Sequence, residues 1–273
     1  MNPEVSARRC GVLGSPISHS LSPLLHRAAY EYLGLSWSYT AHEVREAELA
    51  GFIRALDESW RGLSLTMPLK RAALEVANRA SDLAETVGVA NTLVRDGDGS
   101  WAADNTDVTG LIAAIRERGA DRYESACVWG GGATAASAVA ALVGLGTVEI
   151  HLHARDAGRT GGPVAVADGL GSSVVVFPWR VRAECAAADL VVSTVPAGAA
   201  DAIADELAGN AGPHRMLIDV VYAPWPTQLA VAWEKRGGVV TGGLDLLVHQ
   251  AVGQLKLMTG HDVPARVLFT AVR

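Results

Sequence analysis

Short apolar runs alternate with helix-like segments along this whole chain, and that alternation constrains the fold more than any other feature. Several runs, such as residues 148–153, 190–194 and 216–221, are almost continuously hydrophobic. Strands of that kind are usually covered on both faces, as in parallel sheets flanked by helices. The pattern therefore predicts βαβ units and an α/β fold with parallel sheets.

The first hundred residues give four local predictions. We expect a helix over residues 24–33 that is closed by Gly34, a helix over residues 46–57, and a helix that opens at Lys70. We also expect a hairpin of residues 89–95 and 100–103 around the turn at residues 96–99.

A glycine-rich turn, GGGATA over residues 130–135, lies between an apolar run and a helical pattern. It fits the dinucleotide motif G-x-G-x-x-G/A, in which small residues let a pyrophosphate approach the backbone at a helix N-terminus. The motif is weak alone, because glycine-rich turns are common between strands and helices. It gains weight from the strand predicted at 148–153, after which Arg155 and Asp156 stand where a ribose should bind.

After residue 107 the predicted strands and helices alternate more regularly than before it. We expect an N-terminal α/β domain over residues 1–106, completed by residues 243–273. A doubly wound, Rossmann-type dinucleotide domain is expected over residues 107–242. A final helix over residues 246–259 should return the chain to the first domain.

Composition excludes several classes of protein. The chain has 273 residues, of which 49% are hydrophobic and 19% charged, so it can bury a sizeable core. Its net charge of -6 argues against a nucleic-acid partner. No run approaches the ~18 apolar residues of a membrane span, and the first residues lack the apolar core of a secretory signal. We expect a cytoplasmic protein without a membrane partner.

Cysteine and histidine give no metal-site pattern. Cys10, Cys127 and Cys185 are odd in number and widely spaced, which indicates buried or incidental thiols in a reducing compartment. His151 and His153 alternate along one strand but lack the accompanying ligand spacing, so we interpret them as structural and expect no metal.

Two N-terminal segments carry polar side chains that the fold alone does not require. The loop SPISHSLSP can point the hydroxyls of Ser20 and Ser22 in the same direction from an extended chain. The segment LTMPLK places the hydroxyl of Thr66 and the ammonium of Lys70 just beyond a strand.

Two further segments, VANTL and DNTD, add Asn91 and Asp107. Taken singly, each polar residue has a structural explanation. Ser20, Ser22 and Asp107 could cap helices, Lys70 could be a solvated lysine, and Asn91 could be a turn residue.

Taken together and in this order, the segments resemble the shikimate dehydrogenase family. The likeness continues through DVVYAPWPT and GGLDLLVHQA and covers essentially the whole chain. It implies a cytoplasmic two-domain α/β enzyme that reversibly reduces 3-dehydroshikimate to shikimate with NADPH. Hydride arriving at a carbonyl carbon leaves negative charge on the oxygen, which a proton donor beside it stabilises.

The resemblance also implies roles for individual residues. Lys70 and Asp107 are the expected catalytic pair. The expected substrate contacts are Ser20, Ser22, Thr66, Asn91, Tyr222 and Gln250. The expected cofactor contacts are Gly130, Gly131, Gly132, Ala133, Thr134, Ala135, Arg155, Arg159, Thr194 and Gly243.

Three departures from the family pattern bear on the cofactor. Ala133 and Leu246 replace a frequent glycine and a frequent methionine, and Ala-Arg-Asp stands at the ribose site. A carboxylate at Asp156 would suit NAD, whereas Arg155 and Arg159 would suit the 2′-phosphate of NADP. We expect NADP to be preferred over NAD.

Other activities stay open at this point. A quinate or aminoshikimate dehydrogenase would keep Lys70 and Asp107, although Ser22, where quinate-using relatives often carry threonine, favours shikimate. A non-catalytic NADP-binding regulator could keep the fold, but the presence of both catalytic residues argues against it. His19, His26 and His249 lie near the motifs as rival bases, and we take them as structural. The sequence does not fix the oligomeric state, with a homodimer as one option.

Overall fold

A computed structural model describes residues 7–181 and 183–272. Residues 1–6, on which part of the secretory-signal argument rests, lie outside this description. The chain divides into a first unit, Met1–Thr106 with Val248–Arg273, and a second unit, Asp107–Leu247. Within the described residues, no helix is both long and apolar enough to cross a membrane.

The elements alternate as the sequence pattern predicts. The described strands are β1 (Arg9–Gly14), β2 (Ser38–Glu43), β3 (Trp60–Leu65), β4 (Arg79–Ala80), β5 (Thr92–Arg95), β6 (Trp101–Asp104), β7 (Ser125–Trp129), β8 (Glu149–Ala154), β9 (Val175–Pro178), β10 (Leu190–Ser193), β11 (Met216–Asp219) and β12 (Val239–Gly242). The described α-helices are α1 (Ser22–Leu33), α2 (Leu49–Arg54), α3 (Ala72–Val76), α4 (Asp82–Val87), α5 (Thr106–Arg118), α6 (Ala133–Gly144), α7 (Gly161–Gly169), α8 (Ala183–Ala187), α9 (Ala204–Leu207), α10 (Gln228–Lys235), α11 (Gly243–Thr259) and α12 (Ala265–Val272).

The first unit contains a mixed sheet in the order β2-β1-β3-β5-β6-β4. Strand β1 is parallel to β2 and β3, whereas β5 is antiparallel to both β3 and β6. The sheet is therefore mixed, and its antiparallel pairings are made by β5, a strand of the predicted hairpin. The physical reason is the Asp96–Gly99 turn, which closes the hairpin with a 2.8 Å bond from Asp96 N–H to Ser100 O. As a result, the carboxyl ends of β1, β3 and β6 and the amino end of β5 share one edge.

Helix α1 ends at Leu33 as the sequence predicts, but it begins at Ser22, two residues before the predicted start. Pro23 lies in its first turn, where the missing N–H costs nothing, and Gly34 ends the helix in the left-handed region at φ 67°. The helix packs against β2 and α12, so residues from both ends of the chain build the first unit.

The second unit is a parallel sheet in the order β12-β11-β10-β7-β8-β9, flanked by helices. This is the doubly wound order, with its switch point between β7 and β10. Strands β10 and β11 are buried along their whole length, as their continuous apolar runs predict. The α/β class with a Rossmann-type second unit is thus confirmed.

A disulfide joins Cys127 on β7 to Cys185 on α8, and Cys10 is a buried thiol. The expectation of three incidental thiols is wrong for this pair. A separation of 58 residues gives no sequence signal for pairing, because only the fold brings β7 and α8 together. Burial raises the pKa of the Cys10 thiol to about 11.

Two local predictions are also corrected. A single helix was predicted over residues 46–57, but a 3-10 turn at Glu46–Glu48 precedes the short helix α2. Lys70 was predicted to open a helix, but it lies within a turn that continues through Arg71, and α3 begins at Ala72.

Candidate active site and dinucleotide site

The loop after β1 and the turn after β3 are held side by side at the shared edge of the first unit's sheet. Thr66 N–H donates to Leu13 O at 2.9 Å, and Ser15 N–H donates to Met67 O at 3.0 Å. A Cβ on Gly14 would collide with the methyl group of Thr66. Glycine at the end of β1 therefore permits the approach of the segment that carries Thr66 and Lys70.

The paired serines stand at the start of α1. Ser22 N–H donates to Ser20 Oγ at 3.3 Å, and Ser22 is buried while Ser20 is half-buried. Helix α1 has no side-chain cap on its first turn. The helix-cap explanation for these serines is thus not supported by the geometry of α1.

Lys70 and Asn91 lie on neighbouring segments of the first unit. Ala90 N–H donates to Lys70 O at 2.8 Å, and Leu65 N–H donates to Asn91 O at 2.7 Å. Lys70 is half-buried and Asn91 is buried. The turn after β3 and the start of β5 are therefore fixed to one another by their backbones.

Asn91 is the centre of a buried polar cluster. Its side-chain N–H groups donate to Thr106 Oγ1 at 3.0 Å and to Gln250 Oε1 at 3.2 Å. Its Oδ1 accepts from Thr106 N–H at 2.9 Å and from Thr92 Oγ1 at 2.8 Å. Asn91 is therefore a structural organiser of this edge and not simply a turn residue.

Gln254, one helical turn after Gln250 on α11, was not singled out from the sequence. Its Nε2 donates to Asn91 O and to Thr92 Oγ1, both at 3.2 Å, and its Oε1 accepts from Ser64 Oγ at 2.8 Å. The signal that could have identified it is the i, i+4 spacing, which places both glutamines on one helix face.

His26 contacts the same cluster and is unsuited to act as a base. Its Nε2 lies 3.3 Å from Gln254 Oε1, and its ring stacks on Tyr39 at 4.0 Å between centroids. Complete burial lowers the pKa of His26 to about 3, so the ring is neutral at physiological pH. The structural interpretation of His26 fits this environment.

Asp107 and Tyr222 belong to the second unit. Asp107 is buried and lies in the first turn of α5, which begins at Thr106. Tyr222 follows β11 and is half-buried, and burial raises the pKa of its phenol.

In the glycine turn after β7, the backbone lies very close to Thr194 and Arg159. Gly130 has φ +123°, and a Cβ there would collide with Thr194 Oγ1. Thr194 in turn donates from N–H and Oγ1 to Trp129 O at 2.8 and 2.9 Å. A Cβ on Gly131 would lie 3.0 Å from Arg159 O. This turn therefore keeps Thr194 and Arg159 beside the amino end of α6.

Helix α6 begins directly after the turn. Gly132 is its N-cap, no side chain caps it, and Ala133, Thr134 and Ala135 form its first turn. An uncapped helix N-terminus behind a glycine turn is the arrangement that a pyrophosphate requires. The residues of this turn therefore fit a dinucleotide.

Asp156 is engaged in its own turn. Its Oδ1 accepts from Gly158 N–H at 2.8 Å, and its carbonyl accepts from Arg159 N–H at 3.1 Å. The carboxylate caps this turn and forms no ion pair with Arg155 or Arg159 among the described contacts. Arg155 is exposed, with its guanidinium carbon 5.7 Å from the centre of the Trp179 ring.

Gly243 opens α11 in the second unit. Its N–H donates to Val221 O at 3.1 Å, and a Cβ there would collide with Val220 O. Only glycine allows α11 to start this close to the end of β11.

Ligand-type side chains of Cys127, His153 and Cys185 lie within 4.8 Å of one another. The two sulfurs are bonded to each other, and a metal needs thiolates. His153 Nδ1 lies 3.2 Å from Pro178 O, and His151 pairs with Glu149 at 2.9 Å. This cluster belongs to the core of the second unit.

Comparison with known proteins gives the family. The model of the shikimate dehydrogenase substrate binding domain matches residues 12–93, and that of the shikimate 5'-dehydrogenase C-terminal domain matches residues 243–271. A shikimate dehydrogenase (NADP(+)) of Thermosynechococcus vestitus is 35% identical over 96% of this chain and 93% of its own length. The chain belongs to the shikimate dehydrogenase family.

Solved structures of this family have the same fold. A shikimate 5-dehydrogenase from Mycobacterium fortuitum is 44% identical with a TM-score of 0.86, and each chain covers 99% of the other. The enzyme from Thermus thermophilus, solved in complex with NADP(H) and shikimate, is 29% identical with a TM-score of 0.84. That alignment covers 97% of this chain and 98% of the Thermus chain.

Proposed function

We propose that this protein is an NADP-dependent shikimate dehydrogenase that reversibly reduces 3-dehydroshikimate to shikimate. The observation that carries the proposal is the edge of the first unit's sheet, where Ser22, Thr66, Lys70, Asn91 and Gln250 lie on connected segments. Membership of the family and relatives named shikimate dehydrogenase (NADP(+)) support the same reaction.

Lys70 is the proposed proton donor in the reduction. The dinucleotide supplies the hydride when it is bound. The ammonium of Lys70 donates a proton to the substrate oxygen as negative charge develops there, and in the reverse direction the neutral amine accepts the alcohol proton. The carboxylate of Asp107 hydrogen-bonds the same hydroxyl and orients the ammonium.

The substrate's remaining groups are matched by hydroxyls and amides. Ser20 and Ser22 are proposed to bind the carboxylate through charge-assisted hydrogen bonds. Thr66, Asn91, Tyr222 and Gln250 offer donors and acceptors for the ring hydroxyls. The buried cluster around Asn91 supports this assignment, because its amides are oriented before any ligand arrives.

NADP is the proposed cofactor. The glycine turn and the uncapped start of α6 would hold the pyrophosphate, with Thr194 and Gly243 lining nearby strand ends. Arg155 and Arg159 would bind the 2′-phosphate. The bond from Gly158 N–H to Asp156 Oδ1 supports NADP over NAD, because it turns the carboxylate towards its own turn and commits one of its oxygens there. The first unit, completed by α11 and α12, would hold the substrate, and the second unit the dinucleotide.

The decisive experiment is a matrix of initial rates for the purified protein. Shikimate and quinate are each tested with NADP+ and NAD+, and aminoshikimate is added as a third alcohol. We expect the largest kcat/KM with shikimate and NADP+. A larger value with quinate or aminoshikimate would give the activity to a sister dehydrogenase. Binding of NADP without turnover of any alcohol would indicate a regulator.

The cytoplasmic location and a homodimeric assembly stay predictions. Light scattering coupled to gel filtration would measure the mass of the protein in solution. A single species at twice the 28.5 kDa chain mass would support a dimer, and one at the chain mass would contradict it.

A further inference from the structure

A series of aromatic contacts in the second unit connects its core to Arg155. Trp129 is fully buried, stacks on His153 at 4.4 Å, and donates its indole N–H to Cys185 Sγ at 3.1 Å. Trp179 meets Trp129 edge to face, with centroids 4.9 Å apart and planes at 85°. Trp179 is therefore held by a residue that His153 and Cys185 fix in place.

The guanidinium of Arg155 lies over the ring of Trp179. The guanidinium carbon lies 5.7 Å from the ring centre, within the range of a cation–π contact. Trp179 packs against the core cluster of the second unit yet is only half-buried, so one face is available to the arginine. Arg155 follows β8 directly and is exposed, so its side chain would otherwise sample many rotamers.

We infer that Trp179 is a specificity-determining positioning residue, which holds the Arg155 guanidinium ready for the 2′-phosphate of NADP. An arginine that is already ordered loses less conformational entropy when it binds an anion. A ring face stacks on the guanidinium plane and leaves its N–H edge free to donate to phosphate oxygens. The inference rests on the proposed NADP specificity and names the residue that acts through Arg155.

The test measures Kd for NADP+ and NAD+ by titration calorimetry, which needs no turnover. Trp179→Leu should weaken NADP+ about two- to fivefold, the range of an exposed cation–π contact, and leave NAD+ unchanged. Trp179→Phe keeps a ring face and should restore most of the affinity for NADP+. Arg155→Ala should weaken NADP+ roughly tenfold or more, as expected for a charge-assisted hydrogen bond.

Two double-variant cycles separate positioning from structural damage. In the Arg155→Ala background, Trp179→Leu should have no further effect on NADP+. In the Arg159→Ala background, Trp179→Leu should still weaken NADP+ binding by its full factor, because the ring contact is to Arg155. Arg122→Ala, an exposed arginine before the amino end of β7, is the matched control and should change neither Kd.

The outcomes distinguish a wrong cofactor site from a wrong role for Trp179. If Arg155→Ala leaves NADP+ binding unchanged, the assignment of the 2′-phosphate to Arg155 is wrong and the inference fails with it. If Arg155→Ala weakens NADP+ but Trp179→Leu acts equally in both backgrounds, or equally on NAD+, the proposed cofactor site stands and the positioning role is overturned.

Discussion

Asn91 donates its side-chain amide to Gln250 Oε1 at 3.2 Å, and this bond joins two residues separated by 159 positions. Both belong to the first unit, and both are proposed substrate contacts. The bond fixes the orientation of the two amides relative to each other. Gln254, which bonds both Asn91 O and Ser64 in the same cluster, helps to hold the pair in place.

Replacing Gln254 with leucine should destabilise the protein and weaken shikimate binding. The change removes the buried acceptor of the Ser64 hydroxyl and the amide donors to Asn91 O and Thr92 Oγ1, at a cost of about 3 kcal/mol in the free energy of unfolding. Urea denaturation measures that cost, and KM for shikimate should rise while KM for NADP+ stays constant. Gln228→Leu, on the exposed start of α10, is the control. Unchanged stability would show that the cluster is dispensable.

Lys70→Ala should lower kcat by roughly 10²–10⁴-fold, the range for a general acid–base group, with folding intact. Circular dichroism and kcat with shikimate and NADP+ check the two parts. The exposed neighbour Arg71 provides a matched variant, Arg71→Ala, which should keep near-normal turnover. Asp107→Asn should also lower turnover. Normal kcat in Lys70→Ala would remove the lysine from the mechanism.

The double change Ser20→Ala, Ser22→Ala should act on substrate affinity. Each hydroxyl is expected to bind a carboxylate, and such bonds contribute about 1.5–3 kcal/mol each, so KM for shikimate should rise at least tenfold. Ser18→Ala in the same loop, where Ser18 is exposed, is the control. Equal increases in KM for shikimate and for NADP+ would point to a structural role of the loop.

His26 should make stability depend on pH below neutrality. Its pKa is lowered to about 3 in the folded protein, whereas in the unfolded chain it is near 6.5. Between these two pKa values the unfolded state binds a proton at His26 and the folded state does not. The free energy of unfolding therefore decreases as pH falls from about 6.5 towards 3. The loss due to this group should approach about 1.4 kcal/mol per pH unit.

The measurement is the free energy of unfolding between pH 7 and pH 5, in the wild type and in His26→Gln. The variant lacks the titrating ring, so its slope should be shallower. Identical slopes would assign the pH dependence to other groups, such as the carboxylates that titrate at lower pH.

The Cys127–Cys185 bond predicts a thiol count. Denatured but unreduced protein should react with a thiol reagent once, at Cys10, and three times after reduction. Cross-linking across 58 residues should stabilise the fold by about 4 kcal/mol, so reduction should lower Tm by roughly 10 °C. The double change Cys127→Ser, Cys185→Ser should make Tm insensitive to reductant. Three thiols before reduction would rule out the bond in the purified protein.

Local patterns predicted the strands of the second unit well, because continuous apolar runs have few alternatives once both faces are covered. The Asp96–Gly99 hairpin and the Gly34 helix end were also predicted, since each depends on residues adjacent in sequence. The short helix α8 was missed, because five residues give too little periodicity.

The site was predictable as a list of residues but not as an arrangement. Lys70 and Asn91 could be named from motifs, yet their backbone proximity follows from the pairing of β3 with β5. Gln254 and Trp179 carry no motif at all. Their roles come from contacts across long stretches of sequence, which only the folded chain reveals.

The division of the chain has a consequence for its biogenesis. The second unit is continuous in sequence, so the ribosome completes it in one stretch and it can fold while synthesis goes on. The first unit needs α12 to cover α1, and Gln254 to pair with Asn91. Its early residues must therefore wait, partly exposed, until the last helices have left the exit tunnel. Chains truncated after residue 247 and released from the ribosome should contain a protease-resistant second unit and a protease-sensitive N-terminal segment.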